Sequence, residues 1–226
     1  MILAQLPKTA EALFIGVAGS RAKNMSSPGS DFDCKVVVKY TQAEYMLQNI
    51  KGVRTFKTDL DGVEVEGVIL DILTAVKYAA ETNAGAYDTW HSVPILETET
   101  SKKIRDLYLE AYQPRSVRDH IFGMLSNQTK MLQDSKTAGA TGEKKKRGEK
   151  EPLPKLEPGY ETNLKVAGEA VYLGLKTVFI TNNKDTPPSF KIDELLAATA
   201  EMISAEDKAW IDQLIQDRMA DKTAKY

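Results

Sequence analysis

The sequence predicts an α+β fold in which a small mixed sheet is followed by an all-helical lobe. β-branched and apolar runs dominate the N-terminal part, and helical spacing takes over from Thr74 onward. A segment rich in glycine, proline and lysine then interrupts the helical half at 135–158. We therefore divide the chain into a sheet unit at 1–98 and a helical lobe at 99–226, with a mobile basic loop at 135–158.

Four strands are expected in the sheet unit. Each candidate is an apolar or β-branched run next to turn residues, and the predicted ranges are 13–18, 33–40, 53–58 and 63–73. Asp61 and Gly62 separate the last two and supply the positive φ angles of a tight hairpin turn. A short helix at 41–50 connects the second strand to the third.

Six helices are predicted after the sheet from the spacing of apolar residues. Their ranges are 74–83, 99–112, 114–134, 160–181, 191–203 and 205–221. The run Thr186-Pro187-Pro188-Ser189 breaks the helical pattern between the fourth and the fifth of them.

The composition limits the compartment and the kind of partner. The chain has 226 residues, one cysteine and a net charge of -2, so any nucleic acid would have to bind a local patch. Cys34, as the single cysteine, excludes an internal disulfide and a cysteine-built zinc site. No secretory signal or long apolar stretch stands out, so we expect a cytoplasmic protein with no membrane association.

Two aspartates at the start of the second strand are the strongest metal-site candidates. Asp31 and Asp33 are two residues apart, so on a strand their side chains point the same way and can bracket a pair of magnesium ions. A third carboxylate on a neighbouring strand would complete such a site. Asp71 is one candidate, and Glu64 and Glu66 compete for the same role.

The residues just upstream suit phosphate binding. Gly19 allows a triphosphate to approach the backbone, and Ser20 offers a hydroxyl and an amide. Arg21 and Lys23 can add countercharge, and the loop at 26–30 brings the chain back to the carboxylates. Each feature taken singly is more often a turn or a cap, but their combination and spacing indicate a nucleotide site.

The run Gly19-Ser20-Arg21-Ala22 through Ser30-Asp31-Phe32-Asp33 resembles the signature of the DNA polymerase beta-like nucleotidyltransferase superfamily. More narrowly, the stretches at 70–72, 83–84 and 92–96 resemble RNA-ligase-associated predicted nucleotidyltransferases of bacteria and phages. Lys165 and the run at 187–190 are similar to the helical half of that family.

The resemblance implies a catalytic core in which Asp31, Asp33 and Asp71 hold Mg²⁺ in a two-metal site, with Mn²⁺ as an alternative ion. It places Asp71 nearest the attacking hydroxyl and so favours it over the two glutamates. Lys165 would contact the triphosphate, although its position beside a buried helical stripe also fits a merely solvated lysine.

The expected function is metal-dependent transfer of a nucleoside monophosphate from a nucleoside triphosphate to a hydroxyl. Three acceptors remain open: an RNA end, a protein hydroxyl in an AMPylating reaction, and a small molecule such as an aminoglycoside. The lysine cluster at 144–147 favours RNA. A non-catalytic nucleotide-binding regulatory module is the alternative outside enzymes.

Three further residues attract attention without carrying the chemistry. His91 and His120 are the two histidines of the chain, and no serine or aspartate pattern recruits either into a triad. His91 follows Trp90 and can line the site, but packing of this pair is the simpler interpretation. Cys34 directly follows Asp33, so on a strand it points away from the metal pair and should pack.

Overall fold

The computed structural model describes residues 2–81, 84–138, 164–183 and 188–220, and within them the predicted α+β architecture is confirmed. The strands are β1 (Ala10–Val17), β2 (Phe32–Tyr40), β3 (Val53–Leu60), β4 (Val63–Asp71) and β5 (Val93–Glu97). The helices are α1 (Gly19–Ala22), α2 (Gln42–Met46), α3 (Ile72–Glu81), α4 (Ala84–Trp90), α5 (Glu99–Glu110), α6 (Pro114–Ala138), α7 (Leu164–Asn182), α8 (Ile192–Ala198) and α9 (Ala205–Met219). A 3₁₀ turn at Ile2–Gln5 precedes β1.

The sheet is mixed and has the strand order β3-β4-β2-β1-β5. β2 and β4 run parallel, while the other neighbouring pairs are antiparallel. The β3–β4 hairpin turns as predicted, because Asp61 and Gly62 have φ values of 53° and 82° between the paired residues Leu60 and Val63.

The two faces of the sheet support different cores. On one face Cys34, Val36 and Val38 pack with β4 residues beneath the N-terminal segment and α2. On the other, Val37 and Leu70 pack against α3, α4 and α5. Because side chains alternate along a strand, Asp33 belongs to the second face, which is the helical side of the sheet.

The C-terminal helices have their own core and contact the sheet unit through aromatic residues. The Tyr87 hydroxyl of α4 donates to the Pro188 carbonyl over 2.7 Å. The Lys176 ammonium of α7 lies 3.9 Å from the Tyr87 ring centroid, 4.2 Å from that of Tyr172 and 5.2 Å from that of Phe190. Burial lowers the pKa of Lys176 to about 7. This lysine therefore sits in an aromatic cage that joins the two parts.

Four short elements were not predicted from the sequence, namely the 3₁₀ turn at Ile2–Gln5, α1, α4 and β5. α1 has four residues, α4 has seven and β5 has five, too few for a clear hydrophobic period. β5 also contains Pro94, which is tolerated because β5 is an edge strand.

The division of the chain after residue 98 stays a prediction. Ile104 and Tyr108 of α5, just beyond that point, pack into the core on the helical side of the sheet. In the predicted basic loop, α6 continues to Ala138, and the remainder with its lysine cluster at 144–147 lies outside the described residues. Among the helices that are described, none is both long and apolar enough to cross a membrane.

Candidate active site

Three carboxylates from two parallel strands converge on the helical side of the sheet. Asp33 of β2 lies opposite Glu66 of β4 in the strand register, and Asp31 precedes β2 by one residue. One carboxylate oxygen from each of these three residues lies within 4.8 Å of the others. The expected pairing of Asp31 with Asp33 is therefore present, and Glu66 supplies the third carboxylate.

The expected placement of Asp71 beside this pair is wrong. Asp71 pairs with Val38, five residues beyond Asp33 on β2, which is roughly 16 Å along the strand. The odd offset also turns its side chain to the opposite face of the sheet. The register of β2 on β4 thus separates Asp71 from the carboxylate cluster in both distance and direction.

Asp71 has a structural environment of its own. It is 4% exposed, and its carboxylate accepts from the Tyr45 hydroxyl over 2.6 Å and from the Leu73 backbone N–H over 3.0 Å. The second contact caps the start of α3. Burial together with the hydrogen bond to Asp71 raises the pKa of Tyr45 to about 12.

Gly19 lies directly against the carboxylate cluster. Its φ is +62°, and a Cβ atom built there would overlap the Asp33 carboxylate. The Ala18 N–H donates to the Asp33 carbonyl over 2.9 Å, which fixes this approach. Only glycine combines the left-handed backbone with so short a contact, so the turn expected to bind phosphate lies directly beside the carboxylates.

Arg21 holds the loop that ends at Asp31 through hydrogen bonds to its backbone. Its guanidinium donates through Nε to the Asp31 carbonyl over 3.0 Å and through Nη2 to the Ser30 carbonyl over 2.6 Å. Ser20 is buried, and its carbonyl accepts from the Met25 N–H over 2.8 Å. Both residues line a cleft beside Asp31, so they remain available to a ligand there.

The two lysines proposed from the sequence occupy different positions. The Lys165 ammonium lies 4.0 Å from the Asp31 carboxylate, and its side chain is 73% exposed. Lys23 is 12% exposed, and its ammonium donates to Glu169 over 2.8 Å. Lys165 is therefore near the carboxylate cluster, whereas Lys23 is engaged by α7.

Glu169 connects Lys23 to Arg218 of α9. Its second carboxylate oxygen lies 3.6 Å from the Arg218 guanidinium, which is 7% exposed and also donates to the Lys165 carbonyl over 3.3 Å. Burial alone would raise the pKa of Glu169, but the charges of Lys23 and Arg218 outweigh it and hold that pKa below its usual value.

Two clefts adjoin the carboxylate cluster. The first cleft has a volume of about 510 Å³ and is lined by residues of the α1 region, the following loop, the β3–β4 turn and the helical lobe, namely Ser20, Arg21, Ser27, Pro28, Gly29, Ser30, Asp31, Gly62, Val63, Glu64, Leu164, Lys165 and Arg218. The second cleft, of about 580 Å³, is lined by Ala18, Gly19, Lys23, Asp33, Cys34, Lys35, Thr55, Phe56, Lys57, Glu66, Gly67, Val68 and Asp88. The cluster separates them, with Asp31 in the first and Asp33 and Glu66 in the second.

The cluster carries concentrated negative charge. Burial and the adjacent Asp31 carboxylate raise the pKa of Asp33. The Lys57 ammonium bridges two carboxylates of β4, at 2.6 Å from that of Glu64 and 2.9 Å from that of Glu66. Its hydrogen bond lowers the pKa of Glu66. A cation bound between the three carboxylates would relieve the repulsion at Asp33 and would compete with Lys57 for Glu66.

The remaining residues singled out in the sequence are packed or face solvent. Cys34 is buried on the opposite face from Asp33, and burial raises the pKa of its thiol to about 11. Trp90 is buried with its ring centroid 5.4 Å from that of Phe14. His91 stacks on Tyr87 at 4.4 Å between ring centroids, and His120 is exposed on α6.

Sequence reasoning missed four charged residues that line the clefts: Lys35, Lys57, Asp88 and Arg218. Lys35 continues the alternation of Asp31 and Asp33 along one face of β2, and this pattern could have signalled it. The carboxylates of Glu64 and Glu66 alternate in the same way. Arg218 had no signal, because its burial depends on the packing of α9 against α7.

Comparisons with known proteins identify the family. The model of the RNA repair pathway DNA polymerase beta family matches residues 3–226. No curated protein matches the sequence significantly. Among solved structures, a nucleotidyltransferase-like protein from Exiguobacterium sibiricum 255-15 is similar at 10% identity, with 92% of this chain and 70% of that chain covered and a TM-score of 0.34, a likeness too low to carry an inference about the site. Because the family match spans almost the whole sequence, the chain belongs to the RNA repair pathway DNA polymerase beta family and is a polymerase beta-type nucleotidyltransferase.

Proposed function

We propose that this protein transfers a nucleoside monophosphate from a nucleoside triphosphate to a hydroxyl of RNA, with Mg²⁺ or Mn²⁺ held by Asp31, Asp33 and Glu66. The observation that carries the proposal is the approach of these three carboxylate oxygens to within 4.8 Å of one another, directly against the Gly19 turn. The turn that would bind the triphosphate and the carboxylates that would bind metal are adjacent, as nucleotidyl transfer from a triphosphate requires.

The donor set fits divalent magnesium. All three ligand atoms are carboxylate oxygens, which Mg²⁺ and Mn²⁺ prefer. With metal–oxygen distances of about 2.1 Å, adjacent ligands of one octahedral ion lie roughly 3 Å apart and opposite ligands roughly 4.2 Å apart, so the observed spacing within 4.8 Å closes onto one ion through rotation of the side chains. It also accommodates two ions about 3.5 to 4 Å apart. Bound metal would neutralise charge at the α-phosphate and lower the pKa of the acceptor hydroxyl.

The first cleft suits the triphosphate. Ser20 offers a hydroxyl at the turn, and the loop at 27–30 adds two serines and a glycine beside Asp31. Arg21, Lys165 and Arg218 line the same space, so that the cations surround the position of the leaving pyrophosphate. Lys165 is exposed and near Asp31, which supports the role suggested by the family resemblance.

Lys23 contributes by holding the architecture in place. Its ammonium is fixed by Glu169, and its carbonyl accepts from the Ile192 N–H of α8 over 3.0 Å. The residue therefore ties the phosphate-binding turn to the helical lobe. Any electrostatic effect on bound nucleotide is reduced by the Glu169 carboxylate.

RNA is the acceptor we favour, because the family is named for an RNA repair pathway and the second cleft contains Lys35, a lysine without an ion pair among the described residues. A label-transfer experiment tests the proposal. Each α-labelled nucleoside triphosphate is offered with Mg²⁺ to total RNA, to cell lysate proteins and to an aminoglycoside panel, with Asp31→Ala as the blank.

The expected result is label on RNA, with release of pyrophosphate, in the wild-type reaction alone. Label on protein would identify an AMPylating enzyme, and label on an aminoglycoside a small-molecule enzyme. Triphosphate binding without pyrophosphate release under any condition would identify a regulatory module. Each of these three results contradicts the proposal.

A further inference from the structure

Lys35 occupies an unusual position for a lysine. It lies in the middle of β2, the central strand of the sheet, and pairs with Gly16 of β1 and Val68 of β4. It is two residues beyond Asp33, so its side chain points to the same face as the carboxylate cluster. Lys35 is partly buried and lines the second cleft.

The Lys35 ammonium lacks a counterion within the described residues, where no ion pair or side-chain hydrogen bond involves it. The other two lysines of the cleft are engaged, since Lys23 pairs with Glu169 at 2.8 Å and Lys57 pairs with Glu66 at 2.9 Å. Asp88 also lines the cleft but makes no ion pair with Lys35.

An uncompensated cation on a partly buried sheet face is costly, because burial removes part of its hydration without replacing it. A solvated lysine would serve equally well at an exposed position such as Lys39, farther along the same face of β2. The placement of Lys35 is therefore best explained by an anionic group that enters the cleft with the substrate.

The distance between Lys35 and the carboxylate cluster indicates which anion would bind there. Two residues along a strand span roughly 7 Å, about the extent of one sugar and its phosphate. The triphosphate itself belongs to the first cleft, on the Asp31 side of the cluster. An anion near Lys35 lies on the Asp33 and Glu66 side, where the acceptor hydroxyl must approach.

We propose that Lys35 binds the phosphodiester adjacent to the reacting hydroxyl of the acceptor, so that the second cleft takes the 3′ end of an RNA strand. The proposal rests on the proposed function for the location of the reaction. A serine or tyrosine hydroxyl of a protein brings no phosphate to Lys35, and a polycationic aminoglycoside would be repelled by it. Phosphate contacts of this kind position a nucleic acid without reading its sequence.

The test measures two affinities separately. Binding of a short 5′-fluorescein-labelled oligoribonucleotide with a free 3′ hydroxyl is followed by fluorescence anisotropy at several salt concentrations. Binding of a non-hydrolysable nucleoside triphosphate analogue with Mg²⁺ is followed by calorimetry. The proteins are the wild type, Lys35→Met, Lys35→Arg and the matched control Lys39→Met, whose lysine lies on the same strand and face but outside the cleft. Equal thermal midpoints establish that the variants are folded.

We expect Lys35→Met to weaken RNA binding about tenfold and to reduce the slope of log affinity against log salt by about 1. Lys35→Arg should retain most of the affinity, and Lys39→Met should match the wild type. Affinity for the triphosphate analogue should be unchanged in all four proteins.

Failure of the wild type to bind RNA would overturn the assignment of the second cleft, as would unchanged RNA binding by Lys35→Met. Loss of triphosphate binding in Lys35→Met would overturn it as well, because Lys35 would then belong to the nucleotide. A third outcome is RNA binding that depends on Lys35 in a protein that does not bind the triphosphate analogue. This outcome would contradict the proposed function but would still support the RNA site at Lys35.

Discussion

Glu66 lies directly opposite Asp33 in the parallel pairing of β4 with β2, whereas Asp71 lies opposite Val38 and on the other face of the sheet. This register brings the two sequence motifs Asp31-x-Asp33 and Glu64-x-Glu66 together at the start of their strands. It also gives Asp71 a separate task, since its carboxylate holds Tyr45 and the first turn of α3.

Asp71→Asn should reduce stability more than activity. The buried carboxylate would lose its charge-assisted bond from Tyr45, which costs about 1 to 3 kcal/mol in the free energy of unfolding. Urea denaturation measures this loss, and Tyr45→Phe should reproduce much of it. The rate of nucleotidyl transfer per folded molecule should stay within a few-fold of the wild-type rate. Loss of transfer in an equally stable variant would contradict the structural role.

Gly19→Ala should strongly reduce activity. The left-handed backbone costs a residue with a Cβ about 1 to 2 kcal/mol, and the added methyl group would displace the Asp33 carboxylate. We expect kcat/KM to fall at least tenfold, with a lower thermal midpoint. Gly123→Ala is the matched control, because a Cβ there meets no atom within 4 Å. It should leave activity unchanged, and similar kinetic losses in both variants would exclude a local effect at Gly19.

Glu169→Gln should destabilise the contact between α1, α7 and α9. Lys23 and Arg218 are 12% and 7% exposed, so removal of their shared carboxylate charge leaves two poorly solvated cations and costs about 3 kcal/mol. Chemical denaturation measures the loss. Glu99→Gln, which removes the exposed partner of Lys102, is the control and should cause no measurable change. Equal stability of Glu169→Gln and the wild type would contradict the importance of the network.

His91 should make stability fall in mild acid. Burial lowers its pKa to about 4, with the Lys176 charge adding to the effect, against a usual value of 6.5. As the pH falls from 6.5 toward 4, the unfolded chain takes up the proton first, so His91 stabilises the fold above 6.5 and loses this contribution below it. The loss is about 2 kcal/mol at pH 5.

Urea denaturation of the wild type and His91→Gln at pH 7 and pH 5 tests this assignment. The variant should lose less stability than the wild type between the two pH values. Identical losses would mean that His91 is protonated at the same pH in both states.

The sequence predicts the parts of this site that depend on local rules. The spacing of Asp31 and Asp33, the glycine before a helix start and the Asp61-Gly62 turn each follow from backbone geometry. The choice between Asp71 and Glu66 depends on how β4 pairs with a strand distant in sequence. A parallel pairing has no connecting turn to fix its register, so the sequence left the third carboxylate open.

The burial of Arg218 in the helical lobe could not be predicted for a similar reason. Arg218 is polar and lies near the end of α9, where its side chain would be expected in solvent. It is buried because Gly168 of α7 leaves space for the guanidinium and Glu169 supplies its counterion. Such an arrangement requires the packing of two helices, which no local pattern encodes.

The most direct test of the carboxylate assignment measures Mn²⁺ binding by electron paramagnetic resonance in the wild type, Glu66→Gln, Asp71→Asn and the neighbouring control Glu64→Gln, all shown to be folded. We predict that Glu66→Gln weakens Mn²⁺ binding at least tenfold, whereas Asp71→Asn and Glu64→Gln bind Mn²⁺ with nearly wild-type affinity. Wild-type Mn²⁺ affinity in Glu66→Gln together with its loss in Asp71→Asn would contradict the proposed metal site.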